Sequence, residues 1–144
     1  MRIRFIKPAE THALRHTVLR PGQQLEEMAW SQDQAEDSFH LGLSIGGHLI
    51  SVVTFIRERN ELLRGWKQYR LRGMATHPEF QGQGAGTELL HFGIDHLRTL
   101  KADLVWCNAR ESAKAFYGKE GFLPEGAQFD IEGIGVHQLM LLRL

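Results

Sequence analysis

The 144-residue sequence predicts one α/β domain in which antiparallel hairpins flank a single strand–helix–strand unit. Three observations lead there. Phe39–Ile45 and Leu49–Ile56 are strand-like runs separated by Gly46-Gly47-His48, the position of a tight hairpin turn. Residues 69–76 alternate Tyr69, Leu71, Gly73 and Ala75 with Arg70, Arg72, Met74 and Thr76, then lead through a glycine-rich stretch and a helix to the apolar run Leu104–Cys107, a parallel crossover. Phe129–Ile131 and Val136–Leu144 read as a last antiparallel hairpin about Gly133-Ile134-Gly135.

The remaining elements follow in order. Ile3–Ile6 is a first strand, closed by Pro8, and Ala9–Leu19 a helical stretch with Ala13, Leu14 and Val18 on its apolar face, stopped by Pro21-Gly22. Residues 23–37 carry Leu25, Met28, Ala29 and Trp30 and form either a short amphipathic helix or an ordered loop. Residues 57–67 make a charged surface connection, and Gly73 suits a bulge. Ala85, Leu89, Leu90, Gly93, Ile94 and Leu97 recur at helical spacing. Asn108 lies at the exit of the fifth strand, and Ser112–Lys119 is a short helix ended by Gly121.

With 42% hydrophobic and 24% charged residues and no internal repeat or linker, the chain suits a single compact domain over residues 1–144. Seventeen basic residues balance seventeen acidic ones, so no overall field collects nucleic acid or membrane, and any anion must be held locally. Arg64, Lys67, Arg70 and Arg72 form no basic stripe with interleaved aromatics. The N-terminus has no long apolar run, so neither a signal peptide nor a membrane span is expected, and a cytoplasmic location follows by default. The single cysteine, Cys107, reads as a small buried hydrophobe.

The chemistry concentrates in Gln81-Gly82-Gln83-Gly84-Ala85-Gly86, followed by Thr87. Glycines at a helix start leave backbone N–H groups unobstructed where they have no intrahelical partner and where the helix dipole favours negative charge, so a diphosphate fits. A Walker loop needs a lysine before Thr87, and none is present. A Rossmann fingerprint starting at Gly82 meets Thr87 where its third glycine belongs, without the acidic residue that holds a ribose.

Leu71-Arg72-Gly73-Met74-Ala75-Thr76-His77-Pro78-Glu79-Phe80 and the loop beginning at Gln81 resemble the GNAT acetyltransferase superfamily, as do Trp106-Cys107-Asn108 and residues 115–122. The resemblance implies a GNAT-like fold: a mainly antiparallel, twisted central sheet whose fourth and fifth strands, parallel to each other, splay apart, with flanking helices. It implies an acetyl-CoA-dependent N-acetyltransferase acting by direct amine attack without an acyl-enzyme. Met74, Ala75 and Thr76 would bind the pantetheine arm, with an amide near Met74 polarising the acetyl carbonyl. Residues 81–87 would hold the pyrophosphate and Asn108 the arm where the strands diverge. Phe116, chiefly a core aromatic, and Tyr117 would line the cofactor cleft. Helical spacing alone makes Tyr117 a second core aromatic, whereas the motif makes it the general acid that protonates departing CoA.

The amine proton has four candidate acceptors, His77, Glu79, Glu132 and His137, with a water chain as competitor. The resemblance of the final hairpin to small bacterial members favours His137, while a partly exposed turn histidine is the commoner arrangement. Arg15 and Arg20 could recognise a carboxylate, though solvated arginines on a helix are commoner. His12 and His16 have metal-helix spacing but no third ligand in view, so no metal is expected. The acceptor is a primary amine of a small molecule or peptide that the sequence does not identify. A homodimer is left open, and the alternative to an enzyme is an acyl-CoA-binding sensor.

Overall fold

A computed structural model describes residues 1–144. Its strands are β1 (Arg2–Ile6), β2 (Phe39–Ile45), β3 (His48–Arg57), β4 (Gln68–Thr76), β5 (Leu104–Arg110), β6 (Leu123–Pro124), β7 (Phe129–Ile131) and β8 (Gly135–Arg143). They form one sheet in the order β1-β2-β3-β4-β5-β8-β6, with β7 also paired to β8. Every pairing is antiparallel except that of β4 with β5, the mixed, mainly antiparallel architecture predicted from the sequence.

β3 is buried without alternation from Ile50 to Ile56 because both its faces are covered. On one face Leu41, Leu43, Val53 and Phe55 meet helix α2 (Ala85–Thr99), whose buried stripe is Ala85, Leu89, Leu90, Gly93, Ile94 and Leu97. Each fully buried leucine there contributes about 2 kcal/mol. On the other face Ile6, Leu14, Val52 and Ala75 form a smaller cluster under the N-terminal helical run.

That run departs from the uninterrupted helix expected over residues 9–19. It changes pitch twice, from a 3₁₀ turn (Pro8–Thr11) through a short α1 (His12–Leu14) to a π turn (Arg15–Leu19). The widened turn begins at Arg15, the residue whose buried guanidinium is tied to Met28, Asp33 and Thr54. Residues 23–37 fold as two 3₁₀ turns, Leu25–Met28 and Ser31–Gln34, with Met28 and Asp33 turned inward. β5 runs on to Arg110, so Asn108 lies inside the strand and not at its exit, and the two-residue β6 was not anticipated. Helix α3 (Lys114–Lys119) follows a 3₁₀ turn at Glu111–Ala113. No helix is long and apolar enough to cross a membrane.

Two irregularities create the site. The register between β3 and β4 passes from Val52↔Ala75 to Thr54↔Arg72, leaving Gly73 and Met74 opposite one residue: the predicted bulge. Gly73 has φ +66°, and a Cβ there would stand 2.9 Å from the Trp30 ring, so both conformation and space require glycine. β4 and β5 pair only through Gln68↔Leu104, Tyr69↔Val105 and Arg70↔Trp106. Beyond these pairs β4 stays with β3 and β5 with β8, and the sheet opens between them.

Candidate active site

The opening holds two adjoining cavities, an outer one of about 500 Å³ and an inner one of about 130 Å³. Both are lined by Met74, Ala113 and Tyr117, so they form one cleft with a waist at those residues.

The outer cavity gathers Thr76, Gln81, Gly82, Gly84, Ala85, Gly86, Thr87 and Phe116 around the start of α2. Gly82 (φ +77°) and Gly84 (φ +87°) turn the chain so that α2 begins with Gly84 as its cap, and no side chain bonds the first-turn amides. The Gln81 side-chain amide donates to the Thr76 carbonyl at 2.9 Å, which ties the loop to β4. Gln83 is exposed, with its side-chain amide 3.4 Å from the Glu79 carbonyl, and lines neither cavity. Ala75 likewise points away, into the cluster with Val52 and Leu14.

Tyr117 is buried on α3, tilted against Phe116 and Phe122 at centroid distances of 5.2 and 5.3 Å. Burial pushes its hydroxyl well above the ordinary 10, with a smaller contribution from Cys107, so it is protonated at neutral pH. Burial also pushes the Cys107 thiol up to about 12. Phe116 is half-buried against the core and lines the outer cavity.

The inner cavity is lined by Asn108, His137, Trp30 and four arginines: Arg20, Arg70, Arg72 and Arg110. Of the four candidate bases only His137 lines either cavity. It is 5% exposed, which corrects the expectation of a partly exposed turn residue. Its Nδ1 lies 2.8 Å from the Gly135 carbonyl; with the proton on Nδ1, Nε2 keeps its lone pair. His77 accepts the Glu79 backbone N–H on Nδ1 at 3.1 Å, while Glu79 and Glu132 are exposed. Arg15 is fully buried and not solvated, because Asp33 pairs with it through two bonds inside the protein. His16 Nε2 lies 2.8 Å from the Gln23 carbonyl, and no group of three or more His, Cys, Asp or Glu side chains is placed to hold a metal.

Arg20, a carboxylate candidate from the sequence, does line the inner cavity, but its clustering with Arg70, Arg72 and Arg110 is what sequence reasoning missed. The cluster's members come from three segments, each resembling an ordinary surface arginine. The one local signal was Arg70 and Arg72 two apart on β4, with Arg110 ending the neighbouring strand.

Residues 7–143 match the family model of the acetyltransferase (GNAT) domain. The chain belongs to the GNAT acetyltransferase family. It is 40% identical over 140 residues to the uncharacterized N-acetyltransferase YitI of Bacillus subtilis (strain 168), covering 97% of this chain and 94% of YitI. Among solved structures, FeeM, an N-acyl amino acid synthase from uncultured soil microbes, superposes with a TM-score of 0.81 at 14% identity over 99% of this chain and 90% of FeeM. Escherichia coli ElaA superposes with a TM-score of 0.78 at 15% identity over 97% of each chain. At such identities the likeness is one of fold, and it is the GNAT fold with its parallel β4/β5 pair. As a GNAT member the protein is an acyltransferase that uses acetyl-CoA as co-substrate and takes an acceptor.

Proposed function

We propose that residues 1–144 act as one N-acetyltransferase domain that passes the acetyl group of acetyl-CoA directly to the primary amine of a small molecule or peptide. The observation that carries this reading is the waist at Met74, Ala113 and Tyr117, where the glycine-loop cavity meets the inner cavity. A donor held from one side and an acceptor from the other meet there.

The uncapped amides after Gly84, with Gln81, Gly82 and Thr87 around them, hold the pyrophosphate. The unpaired edge of β4 from Leu71 onward offers backbone groups of Met74 and Thr76 to the pantetheine arm, opposite Asn108. The Met74 amide, displaced from the ladder by the bulge, polarises the acetyl carbonyl. The neutral amine attacks the carbonyl carbon, the C–S bond breaks, and Tyr117 gives its proton to the departing thiolate. His137 or a water takes the proton that the amine loses. Burial weakens Tyr117 as an acid, and it likewise raises a thiol in the same surroundings, as Cys107 illustrates.

Tyr117→Phe tests this reading. CoA release across a panel of amines falls by about 10²- to 10⁴-fold while acetyl-CoA affinity, measured by calorimetry, is kept. Unchanged turnover removes Tyr117 from the mechanism. Acetyl-CoA binding by the wild type with no turnover of any amine replaces the enzyme reading by that of a sensor.

A further inference from the structure

We infer that the acceptor is a small amine bearing an oxyanion, a carboxylate above all, which the guanidinium groups of Arg20, Arg72 and Arg110 receive in the inner cavity. The inference rests on the acetyl-transfer reading and names its substrate class.

Four arginines and His137 line this cavity, and no aspartate or glutamate does. Arg70 has a carboxylate partner, Glu58 at 3.4 Å. Arg20, Arg72 and Arg110 form no ion pair. Their protein partners are neutral: Arg72 Nη1 donates to Gln32 Oε1 at 3.1 Å, and Arg110 Nη2 to the Leu19 carbonyl at 2.7 Å. Each guanidinium carries five N–H donors, so most remain available. The Nε atoms of Arg20 and Arg70 are buried without a hydrogen-bond partner.

The cations are also held in place. Arg72 lies with its guanidinium carbon 3.9 Å from the Trp30 ring centroid and Arg20 5.3 Å from it. The Gln32 side chain that receives Arg72 reaches on to Glu58, the partner of Arg70. Burial, then the neighbouring Arg70, Arg20 and Arg15, pull Arg72 down to about 10, still fully charged at neutral pH. Such an array repels itself and is relieved by an anion. Fork-shaped donors fit carboxylate and phosphate oxygens, and the same charges repel a polyamine. An anion seated here places its amine toward the waist at Met74 and Tyr117. A cavity of about 130 Å³ takes a small head group and not a polymer.

The test is calorimetric titration of the CoA-loaded protein with β-alanine, its carboxamide, glycine, glycinamide, phosphoethanolamine and spermidine. The carboxylated amines bind at least about 10-fold more tightly than their carboxamides, as expected for losing a hydrogen bond to a charged partner. Arg20→Gln and Arg72→Gln each bring that ratio toward one while acetyl-CoA affinity and the thermal midpoint stay near wild type. Arg72→Lys restores only part of the preference, because an ammonium lacks the planar fork. A preference for phosphoethanolamine over both amino acids keeps the oxyanion and moves its identity to phosphate. Equal affinity for acids and carboxamides, no affinity for either, or preferential binding of spermidine overturns the inference. Because binding is read without turnover, a failure of acetyl transfer with the acid preference intact counts against the mechanism alone.

Discussion

Arg15 grips Asp33 through two parallel bonds, Nη1 to Oδ2 at 2.7 Å and Nη2 to Oδ1 at 2.8 Å, with neither side chain reaching solvent. The same guanidinium donates to the Met28 carbonyl and Thr54 Oγ1, both at 2.8 Å, and stacks 3.7 Å from the Trp30 centroid. It therefore fastens residues 28–33 to the sheet beside the inner cavity. Arg15→Met strands a buried carboxylate and costs about 3–5 kcal/mol in urea unfolding at pH 7. Burial alone would raise Asp33, but the Arg15 bonds outweigh it and hold the carboxyl below its usual 3.8. In the wild type this contribution is complete above pH 3.8 and is lost as pH falls through the depressed folded value. In the variant only the Trp30 N–H, which donates to Asp33 Oδ2 at 3.1 Å, and nearby His40 still oppose burial, so the folded value rises and the deficit narrows on going from pH 7 to pH 4. A deficit of constant size across that range contradicts the assignment.

Gly73→Ala puts a methyl group 2.9 Å from Trp30 Cζ3 and 3.2 Å from Arg15 Nε at a residue with φ +66°. The conformation alone costs about 1–2 kcal/mol, and the contact adds to it. Equilibrium unfolding reads the loss, and CoA release falls with it because the Met74 amide is re-aimed. Stability within 0.5 kcal/mol of wild type, about the range of an ordinary surface change, refutes this role for Gly73.

At Gly84 a Cβ would meet nothing within 4 Å, so a side chain has room, but φ +87° strains any L residue there, and Gly84→Ala measures that strain apart from charge. Gly84→Glu sets a negative charge at the start of α2, beside the amides assigned to the pyrophosphate. Acetyl-CoA affinity drops by at least about 10-fold, given that an unpaired like charge costs more than 1.4 kcal/mol there. Undiminished binding in the calorimeter sinks the loop assignment.

Cys107 is 2% exposed and its thiol is pushed up to about 12, so the thiolate that reacts with disulfide reagents is all but absent at neutral pH. Its modification by a chromogenic disulfide at pH 7 follows the rate of unfolding and accelerates with urea. Rapid stoichiometric labelling of the native protein contradicts the burial.

The hairpin of β2 and β3, the Gly73 bulge and α2 were legible because each writes its signal locally: alternation, a glycine inside a strand, a stripe at helical spacing. Arg15 was not, since helical spacing places it as readily on the wet face and its partner sits 18 residues away in a segment without periodicity. His137 was half legible; the hairpin was clear, but its burial depends on β7 and β5 closing on either side of β8. The glycine-loop end of the site announced itself for the same local reason as the bulge. The arginine end is assembled only when β4, β5 and the π turn converge, and no window of sequence contains it. β6 escaped because two residues, one of them a proline, carry no strand signal.

The seam of three residue pairs between β4 and β5 also bears on how this chain avoids its own kind. Two bare strand edges facing each other are adhesive to any extended polypeptide, the usual route to aggregation. Here one side of the gap is roofed by the N-terminal run, latched where Arg110 holds the Leu19 carbonyl at 2.7 Å, and the other by α3 with Tyr117 in the main core. An incoming strand, with side chains standing out on both faces, is crowded by those roofs. The same walls that flank the ligand cleft therefore also hinder a second molecule from pairing with the exposed edges.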